Sequence, residues 1–199
     1  MTYVLIRLGQ DYTFDLRYEF CRIRNHSKVN QRLEDRPMIG EKTPESDAFW
    51  KLVCEEKSIT APDYHCLTFG DPKYQDYSDH ITELAIKGVK RATAHLAIDF
   101  ELNNVSRRKK GDYWMILWED LSPAVVVELV NVEECKFEDV SAEFASREGE
   151  GDGSLEFWKN THEDYFKLQL TDWGHEWSDQ LKVVLESFDV VMANPSRPV

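Results

Sequence analysis

The sequence predicts an α+β fold, a small mixed or antiparallel β-barrel flanked by helices. Three observations carry this reading. Strand-like runs at 64–69, 93–98, 114–118, 124–132 and 183–191 are interleaved with segments of helical spacing. Val125-Val126-Val127 is apolar without alternation, as in a strand covered on both faces. Residues 3–20 alternate with period two on either side of Gly9-Gln10-Asp11, the pattern of a β-hairpin.

The hairpin places Val4, Ile6 and Leu8 on one face and continues with Tyr12, Phe14, Leu16, Tyr18 and Phe20. A lone hairpin is barely stable in water, so this face must pack on the main domain or on another subunit. A homo-oligomer through the hairpin is therefore expected. Residues 24–43 are polar and aperiodic and read as a linker. The boundaries drawn are an extension over 1–42, a domain over 43–192 and a loose tail over 193–199.

Within the domain, Thr43-Pro44-Glu45 is a strong helix start: a capping hydroxyl, proline in the first turn, then an acid near the positive end of the dipole. That helix fades near Lys57. A second helix spans about Ser78 to Lys87, with Ile81, Leu84 and Ala85 as its apolar stripe and Gly88 where a terminating glycine belongs. Asn103–Lys110 reads as a loop. Phe137, Val140, Phe144 and Ala145 have the spacing of a short helix. Ser154 caps a third long helix that carries Leu155, Trp158, His162, Tyr165, Phe166 and Gln169 along one side.

At 199 residues and 42% hydrophobic, the chain can bury a full core. Its net charge of −13 works against tight non-specific binding to polyphosphate. Cys21, Cys54, Cys66 and Cys135 are far apart and form no CxxC. No leader pattern and no apolar run near the roughly 20 residues of a membrane helix is present. The expectation is a cytoplasmic protein with reduced thiols and no membrane partner.

Two stretches stand out. Gly88-Val89-Lys90-Arg91-Ala92-Thr93 closes a helix and opens a strand, and Glu148-Gly149-Glu150-Gly151-Asp152-Gly153 lies far downstream. Phe69-Gly70-Asp71, Gly88-x-Lys90-x-x-Thr93, Lys110-Gly111-Asp112, Phe144-Ala145-x-x-Glu148-Gly149-Glu150-Gly151-Asp152-x-Ser154-Leu155-x-x-Trp158 and His162-x-x-x-Phe166 occur in that order. The ordered set closely resembles the ASCH domain, in its bacterial branch with the Glu-Gly-Glu-Gly-Asp signature, over about residues 46–192. The resemblance implies a PUA-like β-barrel and an association with RNA or nucleosides. It also implies two activities found in other branches. One is an amidohydrolase that removes acetyl from acetylated cytidine with a lysine, a threonine and a glutamate; the other is a ribonuclease. Carried over by motif, the catalytic set is Lys90, Thr93 and Glu148.

The residues themselves leave alternatives open. A threonine hydroxyl needs a base, and a lysine serves only if burial lowers its pKa. A neighbouring carboxylate works the other way, so Lys90–Glu148 reads equally as an ion pair. In a regular strand positions 90 and 93 point to opposite faces, so both reach one pocket only if the chain turns between them. Arg91, His95, Arg107, Arg108 and Lys110 are candidate ligand-binding residues; the basic run Arg107–Lys110 reads equally as a solvated loop. Glu150 and Asp152, with Glu148, have the alternate spacing of oxygen ligands for a divalent cation. The competing reading is a tight glycine turn followed by a capped helix, and no cofactor is expected. The functional readings are a hydrolase acting on a modified nucleoside or single-stranded RNA, a non-catalytic RNA- or nucleotide-binding module, and an interaction role for the hairpin.

Overall fold

The apolar run at 123–132 builds the middle of the sheet. The computed structural model describes residues 40–71, 77–197 and 199. The expected N-terminal hairpin and nearly all of its linker lie outside them. Five strands are described: β1 (His65–Thr68), β2 (Ala92–Leu96), β3 (Tyr113–Leu117), β4 (Pro123–Lys136) and β5 (Lys182–Ala193). They form one mixed sheet in the order β1-β3-β4-β5-β2, curled into a half-barrel. Only β1–β3 is parallel; the other pairings are antiparallel.

The unalternated valines are covered on both faces, as their pattern predicts. Val125 and Val127 pack with Phe69, Ile81, Trp114 and Phe188, whereas Val126 packs with Phe49, Trp50, Tyr64 and Met115 on the other side. Phe49 and Trp50 of the second group come from helix α1 (Pro44–Lys57). Its start is a reciprocal cap: Thr43 Oγ1 accepts from the Ser46 N–H, and Ser46 Oγ accepts from the Thr43 N–H. Helix α2 (Ser78–Ile86) places Ile81 and Ala85 in the first group. A third cluster joins Ala92, Ala94 and Leu96 of β2 to Trp158, Phe166 and Leu170 of helix α5 (Leu155–Trp173).

Three local expectations are corrected. β2 ends at Leu96, and helix α3 (Ala97–Leu102) follows where a strand to Ile98 was expected. Ala97 and Phe100 are three apart and bury together against Val184, a spacing too short to show as a helical period in the sequence. The helical spacing from Phe137 resolves into a 3-10 turn (Phe137–Asp139), an extended Val140, and helix α4 (Ala142–Glu148). Ser141 divides them because its hydroxyl accepts the Phe144 N–H. The segment after Met192 is tied down through Arg197. Ala193 pairs with Val125. The Asn194 N–H and Nδ2 donate to the Ala124 and Pro123 carbonyls at 2.8 and 2.9 Å, and Arg197 reaches Asp120 and lies over the Trp118 ring.

Candidate functional site

Helix α2 ends in a way that aims Lys90. Gly88 takes φ +74° and its N–H donates to the Ala85 carbonyl, while the Val89 N–H returns to the Leu84 carbonyl. This glycine-terminated cap turns the chain before β2 begins at Ala92. Lys90 therefore lies outside the strand, and Lys90 and Thr93 line the same cleft. That removes the facing conflict a regular strand would impose.

The acidic glycine-rich stretch completes the site. The Arg91 N–H donates to the Arg147 carbonyl at 2.8 Å, drawing the end of α4 against the start of β2. Gly149 then passes so close to Val89 that a Cβ would stand 2.5 Å from the Val89 carbonyl oxygen. Its φ of +67° is also a conformation that side chains disfavour. This approach sets Glu148 and Glu150 on either side of Lys90, whose Nζ donates to Glu148 Oε2 at 2.5 Å and Glu150 Oε1 at 2.6 Å. Trp158 Nε1 donates to Glu148 Oε1 at 2.8 Å. His162 stacks on Trp158, donates from Nδ1 to the Trp158 carbonyl, and brings Nε2 to 3.4 Å from Glu148 Oε1. His162 is thus the hydrogen-bonded histidine its helical face suggests, and it also lines the cleft.

These contacts decide the protonation states. Burial alone would push the Lys90 ammonium down, but Glu148 and Glu150 outweigh it and hold its pKa above the ordinary lysine value. Burial alone would raise the Glu148 carboxyl, but Lys90 and His162 outweigh it and hold it well below the usual range. The pair is ionised as it stands. A protonated Glu148 and a neutral Lys90 are both disfavoured in this arrangement.

A second buried charge network stands beside the first. Thr93 is directly opposite Glu186 of β5, so the two side chains share a face. Glu186 is fully buried and receives Arg108 Nε at 3.0–3.1 Å and Nη2 at 2.5 Å. Arg108 lies 4.2 Å from the centre of the Trp114 ring, and its Nη2 meets His95 Nε2 at 2.9 Å. Burial would raise the Glu186 carboxyl, but the Arg108 guanidinium holds it down to about 2.

The cleft has a volume of about 510 Å³ and takes in Lys90, Thr93, His95, Arg108, Glu148 and Glu150 among its lining residues. Aromatic walls come from Phe69, Phe100, Tyr165 and Phe166. Among the described residues the Thr93 hydroxyl makes no hydrogen bond to another group.

The structure does not bring every candidate residue to this cleft. Arg91 turns back, donating from Nε to the Gly88 carbonyl. Arg107 pairs with Glu134 on the surface. Lys110 is exposed and outside the lining. The basic run is thus divided: Arg108 points into the core, Arg107 and Lys109 meet Glu134 and Asp112, and no continuous basic strip forms. Glu150 lines the cleft but spends its carboxylate on Lys90. Asp152 is exposed, and its Oδ1 accepts the Ser154 N–H just before α5. Among the described residues no group of three or more His, Cys, Asp or Glu side chains is arranged to hold a metal ion.

Glu186 and the pairing of Arg108 with His95 are not evident from motif spacing. One signal was available: Glu186 interrupts the apolar run Val183-Val184-Leu185, and a carboxylate in such a run needs a buried partner.

A curled mixed sheet with helices packed on both faces, as seen here, is the PUA-like class of fold. The chain belongs to the ASCH domain family, whose profile matches residues 65–192. Among solved structures it is similar to the ASCH domain from Lactobacillus crispatus JV V101. The two share 25% identity and a TM-score of 0.63, over 76% of this chain and 96% of that one. It is also similar to protein EF3133 from Enterococcus faecalis V583, at 25% identity and a TM-score of 0.65, over 74% and 88% of the two chains. No curated protein matches the sequence. Among the described residues no helix is long and apolar enough to cross a membrane.

Proposed function

We propose that the cleft binds a nucleoside-sized ligand, with Lys90, Thr93 and Glu148 at its floor. The observation that carries this reading is the Thr93 hydroxyl, unpartnered among the described residues, between two buried charge networks in a cleft of about 510 Å³ with aromatic walls. Flat aromatic surfaces suit a nucleobase, and a few fixed polar groups suit its edges. Lys90 acts here as a clamped ammonium, so its role is electrostatic and structural rather than that of a resting base. Single-stranded RNA is less well supported, because the basic run that would meet its phosphates is engaged with carboxylates.

A second reading, hydrolysis of an N-acylated nucleoside, is favoured by one feature. Buried ionised groups beside a free hydroxyl are costly to maintain, and such groups concentrate at reacting sites. It requires ligand binding to break the Lys90 clamp and free a base for Thr93. The test is calorimetric titration with cytidine and N4-acetylcytidine, followed by chromatography of the incubated mixture. Saturable binding that Thr93→Val weakens supports the nucleoside reading, and release of acetate would add the hydrolase. Absence of binding to either compound rules out both.

A further inference from the structure

The geometry points to a donor subsite at His95 Nδ1 for an uncharged hydrogen-bond acceptor, a carbonyl oxygen or unprotonated ring nitrogen of a nucleobase. The inference rests on the nucleoside reading above. It begins with a constraint on the imidazole. Arginine is always charged and carries only donors. The 2.9 Å contact from Arg108 Nη2, shorter than the 3.4 Å from Nε2 to Glu186 Oε2, therefore makes His95 Nε2 an unprotonated acceptor. In a neutral imidazole the proton then sits on Nδ1. Arg108 is in turn immobilised by Glu186 and by the face of Trp114, so the tautomer is set by buried groups. Arg108 and Glu186 are positioning residues; His95 is the one that meets the ligand.

The rest of the ring supports the assignment. Its edge contact with Phe100 leaves the side chain 22% exposed, so the ring is held yet reachable. Among the described residues Nδ1 has no hydrogen-bond partner, and His95 lines the cleft. The charge of the lining selects the kind of acceptor. Asp71, Asp99, Glu148 and Glu150 face two full cations, Lys90 and Arg108. Both cations are already paired with buried carboxylates. Among the described residues the lining thus carries more carboxylates than cations, which disfavours an anionic ligand. A neutral acceptor takes the Nδ1 proton without that penalty.

The test combines nitrogen NMR of the wild type with titrations of two variants that divide the imidazole. The amide of His95→Gln falls near the Nε2 position, keeping an acceptor for Arg108 while removing the cleft donor. The amide of His95→Asn falls near Nδ1, keeping the donor while releasing Arg108. The free protein should show His95 protonated on Nδ1, with that signal shifting on addition of cytidine. Cytidine affinity should fall about tenfold in His95→Gln and stay within about threefold in His95→Asn, and cytidine 5′-monophosphate should bind the wild type at least about tenfold more weakly than cytidine. An Nε2-protonated ring, the reverse order of the variants, or equal binding of the monophosphate would overturn the subsite. If cytidine binds and His95→Gln leaves it unchanged, only the subsite falls. If cytidine does not bind the wild type at all, the nucleoside reading falls with it.

Discussion

At the scale of single residues, the site is governed by charges that burial would discourage and partners sustain. Lys90→Ala leaves Glu148 and Glu150 facing each other without their cation. Removing one partner of a buried pair costs about 3–5 kcal/mol, which urea unfolding would read directly. The double variant Lys90→Met, Glu148→Gln should recover part of that loss, because it removes the more deeply buried of the two uncompensated charges. The pH dependence follows from the same groups. The folded pKa of Glu186 lies near about 2 against an ordinary 4.5, and that of Glu148 is also depressed. Folding therefore favours the ionised carboxylates. Their contribution is complete above pH 4.5 and is lost as pH falls towards the folded values. For Glu186 alone this is about 3 kcal/mol, and thermal melts between about pH 5 and 2, spanning this window, should show a steep decline. A stability that stays flat across that interval would contradict the ionised networks. Lys90 runs in the opposite direction. Its pKa is raised, so its contribution holds below 10.5 and is lost only as pH rises beyond it.

At the scale of elements, the turn at Gly149 decides whether Glu148 and Glu150 reach Lys90. In Gly149→Ala the new Cβ meets backbone rather than a flexible side chain, at a positive φ. Such strain costs on the order of 1–3 kcal/mol and would also pull the loop from Val89. The variant should melt earlier and bind cytidine more weakly. Full affinity in Gly149→Ala would mean that the loop does not set the site. Lys90 and Thr93 are legible in the sequence because their motif lies within six residues and is marked by a helix-ending glycine. Most elements are legible too, since caps and periodicity are local properties. The Arg108–Glu186–His95 network is not, because Glu186 comes beside Thr93 only through the β2–β5 register. Helix α3 and the division at Ser141 are hidden for a related reason: each is too short to establish a period, and burial or a single cap decides it.

At the scale of the whole molecule, the −13 charge and the internally paired basic loop both act against polyphosphate. Binding of cytidine should accordingly change less than about twofold between about 50 and 300 mM salt, whereas RNA binding through exposed cations would weaken steeply. Fluorescence titration at the two ionic strengths separates these outcomes. The sheet supplies the rigid frame for the site: β2 buries Ala92, Ala94 and Leu96 on one side and presents Thr93 and His95 on the other.

The most direct test of the central claim is an NMR titration of the full chain with cytidine, following assigned backbone and imidazole signals. Saturable shifts centred on the Lys90–His95 segment, the Glu148–Glu150 turn, His162 and the aromatic walls of the cleft are the predicted result. Shifts at the Arg107–Lys110 loop alone, or none at millimolar cytidine, would contradict a nucleoside cleft at Lys90, Thr93 and Glu148.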